Sequence, residues 1–158
     1  MKKFSILILA VTIFLACNYT KEALELKPDI EITYINPVAC LTCAGDSTYA
    51  AMIQEIHFVP KNSFDSYLTE FTLEYYDNAS VLFSGPTAPL AIYGKIQGIV
   101  TAGVVDTFIL ENIPVPLGPV RTHLSSGQTA KVVLRFVAVD EYFENSDTAI
   151  TWIGISMQ

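Results

Sequence analysis

From Ile30 onward, the apolar residues of this chain recur at every second position. In IEITYIN, Ile30, Ile32 and Tyr34 alternate with Glu31 and Thr33. In YLTEFTLEYYD, Phe71, Leu73 and Tyr75 share one face, while Glu70, Thr72 and Glu74 share the other. LAIYGKIQGIV sends Leu90, Ile92, Ile96 and Val100 inward and Tyr93, Lys95 and Gln97 outward. TAKVVLRFVAV sets Ala130, Val132, Leu134, Phe136 and Ala138 opposite Lys131 and Arg135. A period of two means strands with one face on a core and one in water. Segments 52–59, 80–83, 105–113 and 149–157 read as further strands.

Turn residues separate these runs: Asp77-Asn78, Gly85-Pro86, Ala102-Gly103, Ser126-Gly127 and Asn145-Ser146-Asp147. About eight short strands punctuated in this way predict an all-β, antiparallel sandwich or barrel. Pro114, Pro116 and Pro119 predict an irregular crossing, because proline cannot donate to a ladder.

The first 29 residues follow a different pattern. Lys2 and Lys3 precede an uncharged run, Phe4 to Ala16, which is short for a helix that must cross about 30 Å of hydrocarbon. A basic start, a short apolar stretch and a small residue before a cut are the marks of an export signal. NYTKEALELKPD, residues 18–29, is polar and charged and reads as a tether with an extended reach of at most about 40 Å. Residues 1–16 are thus expected to be a cleaved signal helix, 17–29 a tether and 30–158 one β domain.

Phe14-Leu15-Ala16-Cys17 resembles the lipobox of bacterial lipoproteins, Ala16 and Cys17 fitting it well and Phe14 and Leu15 more loosely. The resemblance implies a diacylglycerol thioether on Cys17, an N-terminal amine open to further acylation (palmitate-type chains), and a place in the cell envelope. Two or more acyl chains hold a protein firmly on a bilayer, whereas one does so only marginally. The competing reading is a plain secretory signal that leaves Cys17 as a free thiol.

LSSGQTAKVVLRFVAV, residues 124–139, is similar to the segment of fibronectin type III and other immunoglobulin-like domains where Leu-x-x-Gly precedes an alternating strand. Leu124 and Gly127 hold the matching positions. The resemblance implies an immunoglobulin-like sandwich of seven to eight strands. Ala130 stands where such domains often carry a tyrosine that pins a loop, and there is no cysteine pair to bridge the sheets.

Charge and chemistry narrow the function classes. From Cys17 onward, seven basic residues face 16 acidic ones, a balance that disfavours nucleic acid and anionic membrane as partners. Cys40 and Cys43, in CLTC, suggest a local disulfide pinning the loop between the first two strands of an exported protein. Thiol–disulfide or metal chemistry at this pair is the alternative. Zinc would need two further ligands, and His57 and His123 lack ligand spacing. DEYFENSD, residues 140–147, offers Asp140, Glu141, Glu144, Asn145 and Asp147 as calcium ligands or as a solvated acidic loop. Glu70 and Glu74 lie too far apart along a strand for paired-carboxylate glycoside hydrolysis.

No nucleophile elbow, zincin motif or phosphate loop is present, and no cofactor is implied. Tyr34, Tyr49, Tyr67, Tyr76, Tyr93 and Tyr142 fall mainly at strand ends or on outer faces, as strand residues or as a binding surface. The function expected is a lipid-anchored, non-enzymatic module that binds an envelope protein or glycan.

Overall fold

The computed structural model describes residues 27–37, 41–43, 49–101 and 104–157, and of 41–43 the backbone alone. Among the described residues the strands are β1 (Ile30–Asn36), β2 (Leu41–Cys43), β3 (Ala50–Pro60), β4 (Ser66–Tyr76), β5 (Leu82–Ser84), β6 (Leu90–Ile96), β7 (Phe108–Pro116), β8 (Thr129–Val139) and β9 (Ser146–Met157). A short helix, α1 (Gly118–His123), joins β7 to β8. No helix among the described residues is long and apolar enough to cross a membrane.

The strands form two sheets. One runs β1-β3-β7 and the other β2-β9-β8-β4-β5, with β6 also paired to β4. Both are antiparallel except at one edge, where β2 runs parallel to β9. The long β4–β8–β9 ladder carries the alternation read from the sequence. Phe71, Leu73, Tyr75, Ala130, Val132, Leu134, Phe136 and Ala138 are all buried, and Thr72, Glu74, Lys131 and Arg135 face outward.

The sheets close face to face on one core, with rings from both. Phe58 of β3 meets Phe136 of β8 edge-on at 5.1 Å, and Phe136 stacks on Phe71 of β4 at 5.4 Å. Each such side chain, fully withdrawn from water, contributes roughly 1.5–3 kcal/mol of transfer free energy. Tyr75 is the largest side chain in this core, and its hydroxyl donates to the Pro116 carbonyl oxygen at 2.9 Å. Gly94 of β6 lies so close to the Phe108 ring of β7 that a Cβ there would force the ring to move.

Several expectations need correction. A bulge between Ile32 and Tyr34 shifts the β1–β3 register by one residue, so Tyr34 leaves the core side and pairs outward with His57. Val100 lies beyond the end of β6 and is exposed, because the alternation stops where the strand stops. Pro114 and Pro116 sit within β7 and not in a crossing. As an edge strand, β7 has one side that needs no donors. Leu41–Cys43, read as loop, forms β2, and its parallel pairing departs from a wholly antiparallel sandwich.

The fold takes in the last residues of the segment read as tether: Pro28 is buried, and the Asp29 carbonyl accepts from Lys61 N at 2.8 Å. The signal segment, Cys17 and Cys40 lie outside the described residues, and Cys43 is described by its backbone at the end of β2.

Strand direction sorts the loops. The start of β1 and the β3–β4, β6–β7 and β8–β9 loops share one end, here the upper end. The β4–β5 turn, α1 and the end of β9 lie at the lower end.

Candidate functional site

The upper end is built by two aspartates that organise loops. Asp65, just before β4, accepts from Gly98 N at 2.9 Å and pairs with Lys95 Nζ at 2.6 Å, tying the β3–β4 loop to the end of β6. Ile99 N donates to the Asn62 carbonyl at 2.9 Å, and Asn62 Nδ2 donates to the Lys27 carbonyl at 2.8 Å. The Lys95 hydrogen bond, aided by Gly98 N–H, holds the Asp65 carboxyl below the usual carboxylate range, and Lys95 is raised in return.

Asp140 does the same for the β8–β9 loop. Its Oδ1 accepts from Tyr142 N and Glu144 N, and its Oδ2 accepts from both the backbone and side-chain nitrogens of Asn145, all within 3.2 Å. The Asn145 side chain is the first cause of its lowered pKa. This wrapping puts Phe143 at a φ of 60° and turns Tyr142 and Phe143 outward, 76% and 70% exposed. Between the loops lies a depression of about 290 Å³, with Phe64 and Asp65 on one side and Asp140, Glu141, Tyr142, Glu144 and Asn145 on the other.

The five residues weighed as calcium ligands do not assemble as one ligand set. Both oxygens of Asp140 are already engaged by the loop, and Asn145 spends its side chain on Asp140. Asp147 lies on β9, where Oδ2 accepts from Ile30 N at 2.9 Å and starts β1. Glu141 and Glu144 line the depression. Among the described residues, no three histidine, cysteine or acidic side chains are grouped to hold a metal ion.

The second surface is the outer face of the six-stranded sheet. Cross-strand pairing sets Glu74, Val133 and Trp152 in one row and Thr72, Arg135 and Ile150 in the next. Trp152 is 57% exposed and Ile150 52%. Lys131 Nζ lies 5.2 Å from the Trp152 ring centroid, a cation–π contact. Arg135 reaches Glu74 with Nε at 3.2 Å, and the Tyr76 hydroxyl donates to Glu74 at 2.7 Å. These two partners, Tyr76 first, hold the Glu74 carboxyl below its usual range. Toward the upper end the face continues through Tyr67 and Tyr93, whose ring centroids are 6.5 Å apart, with Lys95 over Tyr67.

The remaining candidates fall into structural places. His57 is on the outer face of the three-stranded sheet, its ring 4.7 Å from Tyr34 and its Nε2 3.4 Å from Glu55. That contact is not aligned as a hydrogen bond, and Nε2 has no hydrogen-bond partner among the described residues. His123, in the last turn of α1, stacks on Phe83 at 4.1 Å. Glu70 stays on the outward side of β4 beside the bulge at Thr69.

Two features escaped the sequence reading. Tyr142 figures there only as one of six tyrosines and Phe143 not at all, yet both rings stand exposed on the β8–β9 loop. Trp152 stands inside a strand, where large apolar residues on both faces of AITWIGISM are the sequence signal of a surface kept apolar. No protein-family model matches this chain, and neither a curated protein nor a solved structure proved significantly similar to it.

Proposed function

We propose that this chain is an exported bacterial lipoprotein, anchored through Cys17, whose single immunoglobulin-like domain serves as a non-enzymatic binding or envelope-assembly module. The strand order supports the immunoglobulin-like part. With β1, β3 and β7 as strands A, B and E, and β4, β8 and β9 as C, F and G, the two sheets match the division such domains use. The Leu124–Gly127 turn leads into β8, the strand in the F position.

The observation that carries the binding role is the outer face of β8 and β9. Exposed Trp152 and Ile150 flank Val133 and Arg135, with Tyr76, Tyr67 and Tyr93 farther along the sheet. Tryptophan, tyrosine and arginine are the residues enriched where proteins bind, and the two aromatic ones bring large area at low entropic cost. A hydrolase would instead need a nucleophile and a base within reach of each other. His57 faces Tyr34 and Glu55, and His123 faces Phe83, so no serine, threonine or cysteine stands beside either histidine among these contacts.

The test is capture from solubilised envelopes with the full-length protein and its Trp152→Ala and Ile150→Ser variants. A protein or glycan retained by the native chain and lost by both variants supports the reading; equal retention by all three refutes it. Mass spectrometry of the mature N-terminus should show acyl chains on Cys17, and an unmodified Cys17 in soluble protein overturns the anchor.

A further inference from the structure

The chain joins the fold at the upper end of the sandwich. Lys27 and Asp29 are tied there to Asn62 and Lys61 of the β3–β4 loop, and Pro28 is buried among them. Lys27 lies ten positions after Cys17, so a lipid on Cys17 keeps this end within about 35 Å of the bilayer. The same end carries exposed apolar side chains on two loops: Val100 and Val104 after β6, and Tyr142 and Phe143 between β8 and β9. The lower end also exposes apolar side chains, Val81 and Leu82, but the chain does not join the fold there.

We infer that the upper end of the domain seats on the lipid headgroup layer, with Val100, Val104, Tyr142 and Phe143 as the side chains that enter it. This deepens the proposed function and rests on the anchor at Cys17. Aromatic rings settle at the membrane–water interface, and a weak protein contact adds to acyl chains as a second attachment signal. The chain enters the fold at this face and not at the lower end, so the anchor brings this face nearer the surface. The outer face of the six-stranded sheet then points sideways, free for a partner in the envelope.

Charge selects the lipid. Asp29, Asp65, Asp106, Asp140, Glu141, Glu144 and Asp147 outnumber Lys27, Lys61 and Lys95 at this end. An anionic surface repels such a face, whereas a zwitterionic one does not.

The experiment uses the full-length acylated chain in vesicles with brominated acyl chains. A Trp152→Phe background removes the single native tryptophan, and Phe143→Trp places a reporter at the upper end. Val81→Trp places a control in the exposed β4–β5 turn at the lower end. In phosphatidylethanolamine–phosphatidylcholine vesicles, the reporter at position 143 should be blue-shifted and lose emission, while the control at position 81 should not. Adding phosphatidylglycerol should reduce that loss. Equal quenching at both positions with Cys17 acylated overturns the docking and leaves the anchor standing, and so does quenching that strengthens with phosphatidylglycerol. A chain recovered with Cys17 unmodified overturns the anchor, and the docking falls with it.

Discussion

The Tyr75 hydroxyl donates to the Pro116 carbonyl oxygen at 2.9 Å and so joins the two sheets by a hydrogen bond within the core. It links β4 to the end of β7, just before α1 begins. The Tyr75→Phe variant keeps the ring and its packing but leaves that carbonyl without this donor. It should lower stability by about 1–2 kcal/mol with the fold intact, read as a drop in denaturant midpoint at unchanged slope.

The same tyrosine should mark the alkaline limit of the fold. Burial pushes its pKa from 10.0 up to about 12. A raised folded value gives stability that is fully present below the unfolded value and is lost as pH rises through the folded one. Spectrophotometric titration should show Tyr75 ionising near pH 12, together with unfolding. Its ionisation near pH 10 in the folded protein would refute this.

Acid should act through Glu74 and Asp65, both held below their ordinary values of 4.5 and 3.8. A lowered folded value gives stability that is complete above the ordinary value and is lost as pH falls through the lower one. Thermal stability should therefore decline as pH drops below about 4. In Glu74→Gln, which loses its charged bonds to Tyr76 and Arg135, stability at neutral pH should fall by roughly 0.5–1.5 kcal/mol and the acid slope should flatten.

Gly94 should accept a side chain only at a cost, since a Cβ there would force the Phe108 ring to move. Gly94→Val should cost about 1–3 kcal/mol by overpacking. Adding Phe108→Leu should recover part of that loss, a coupling that a double-mutant cycle measures.

Calcium should leave the melting temperature unchanged, because the loop already occupies both oxygens of Asp140. Asp140→Ala should speed amide exchange at residues 142, 144 and 145 while costing less than about 1 kcal/mol globally, as expected of an exposed loop. A calcium-dependent rise in melting temperature would refute this.

The periodicity of residues 66–76 and 129–139 foretold the central ladder, because a strand buried on one face must alternate. It misplaced Tyr34, because a single extra residue at a bulge reverses every later side chain and leaves no mark in composition. It missed β2, whose three residues are too few to show a period, and α1, whose six residues begin with the Gly-Pro pair of a turn. The acidic loop was visible as a charge cluster. Its work of accepting the loop's own N–H groups depends on a backbone path that the residue types alone do not specify.

The position of β1 has a mechanical consequence. A pull on the chain ahead of Lys27 that is directed away from the upper end acts along β1, which lies antiparallel beside β3 from Ile30–Pro60 to Asn36–Glu55. A load in that direction slides β1 against its neighbour, so the hydrogen bonds of the ladder share it and do not open one at a time. The strand where a tether would tug is therefore held in shear, the direction in which a β-ladder yields last.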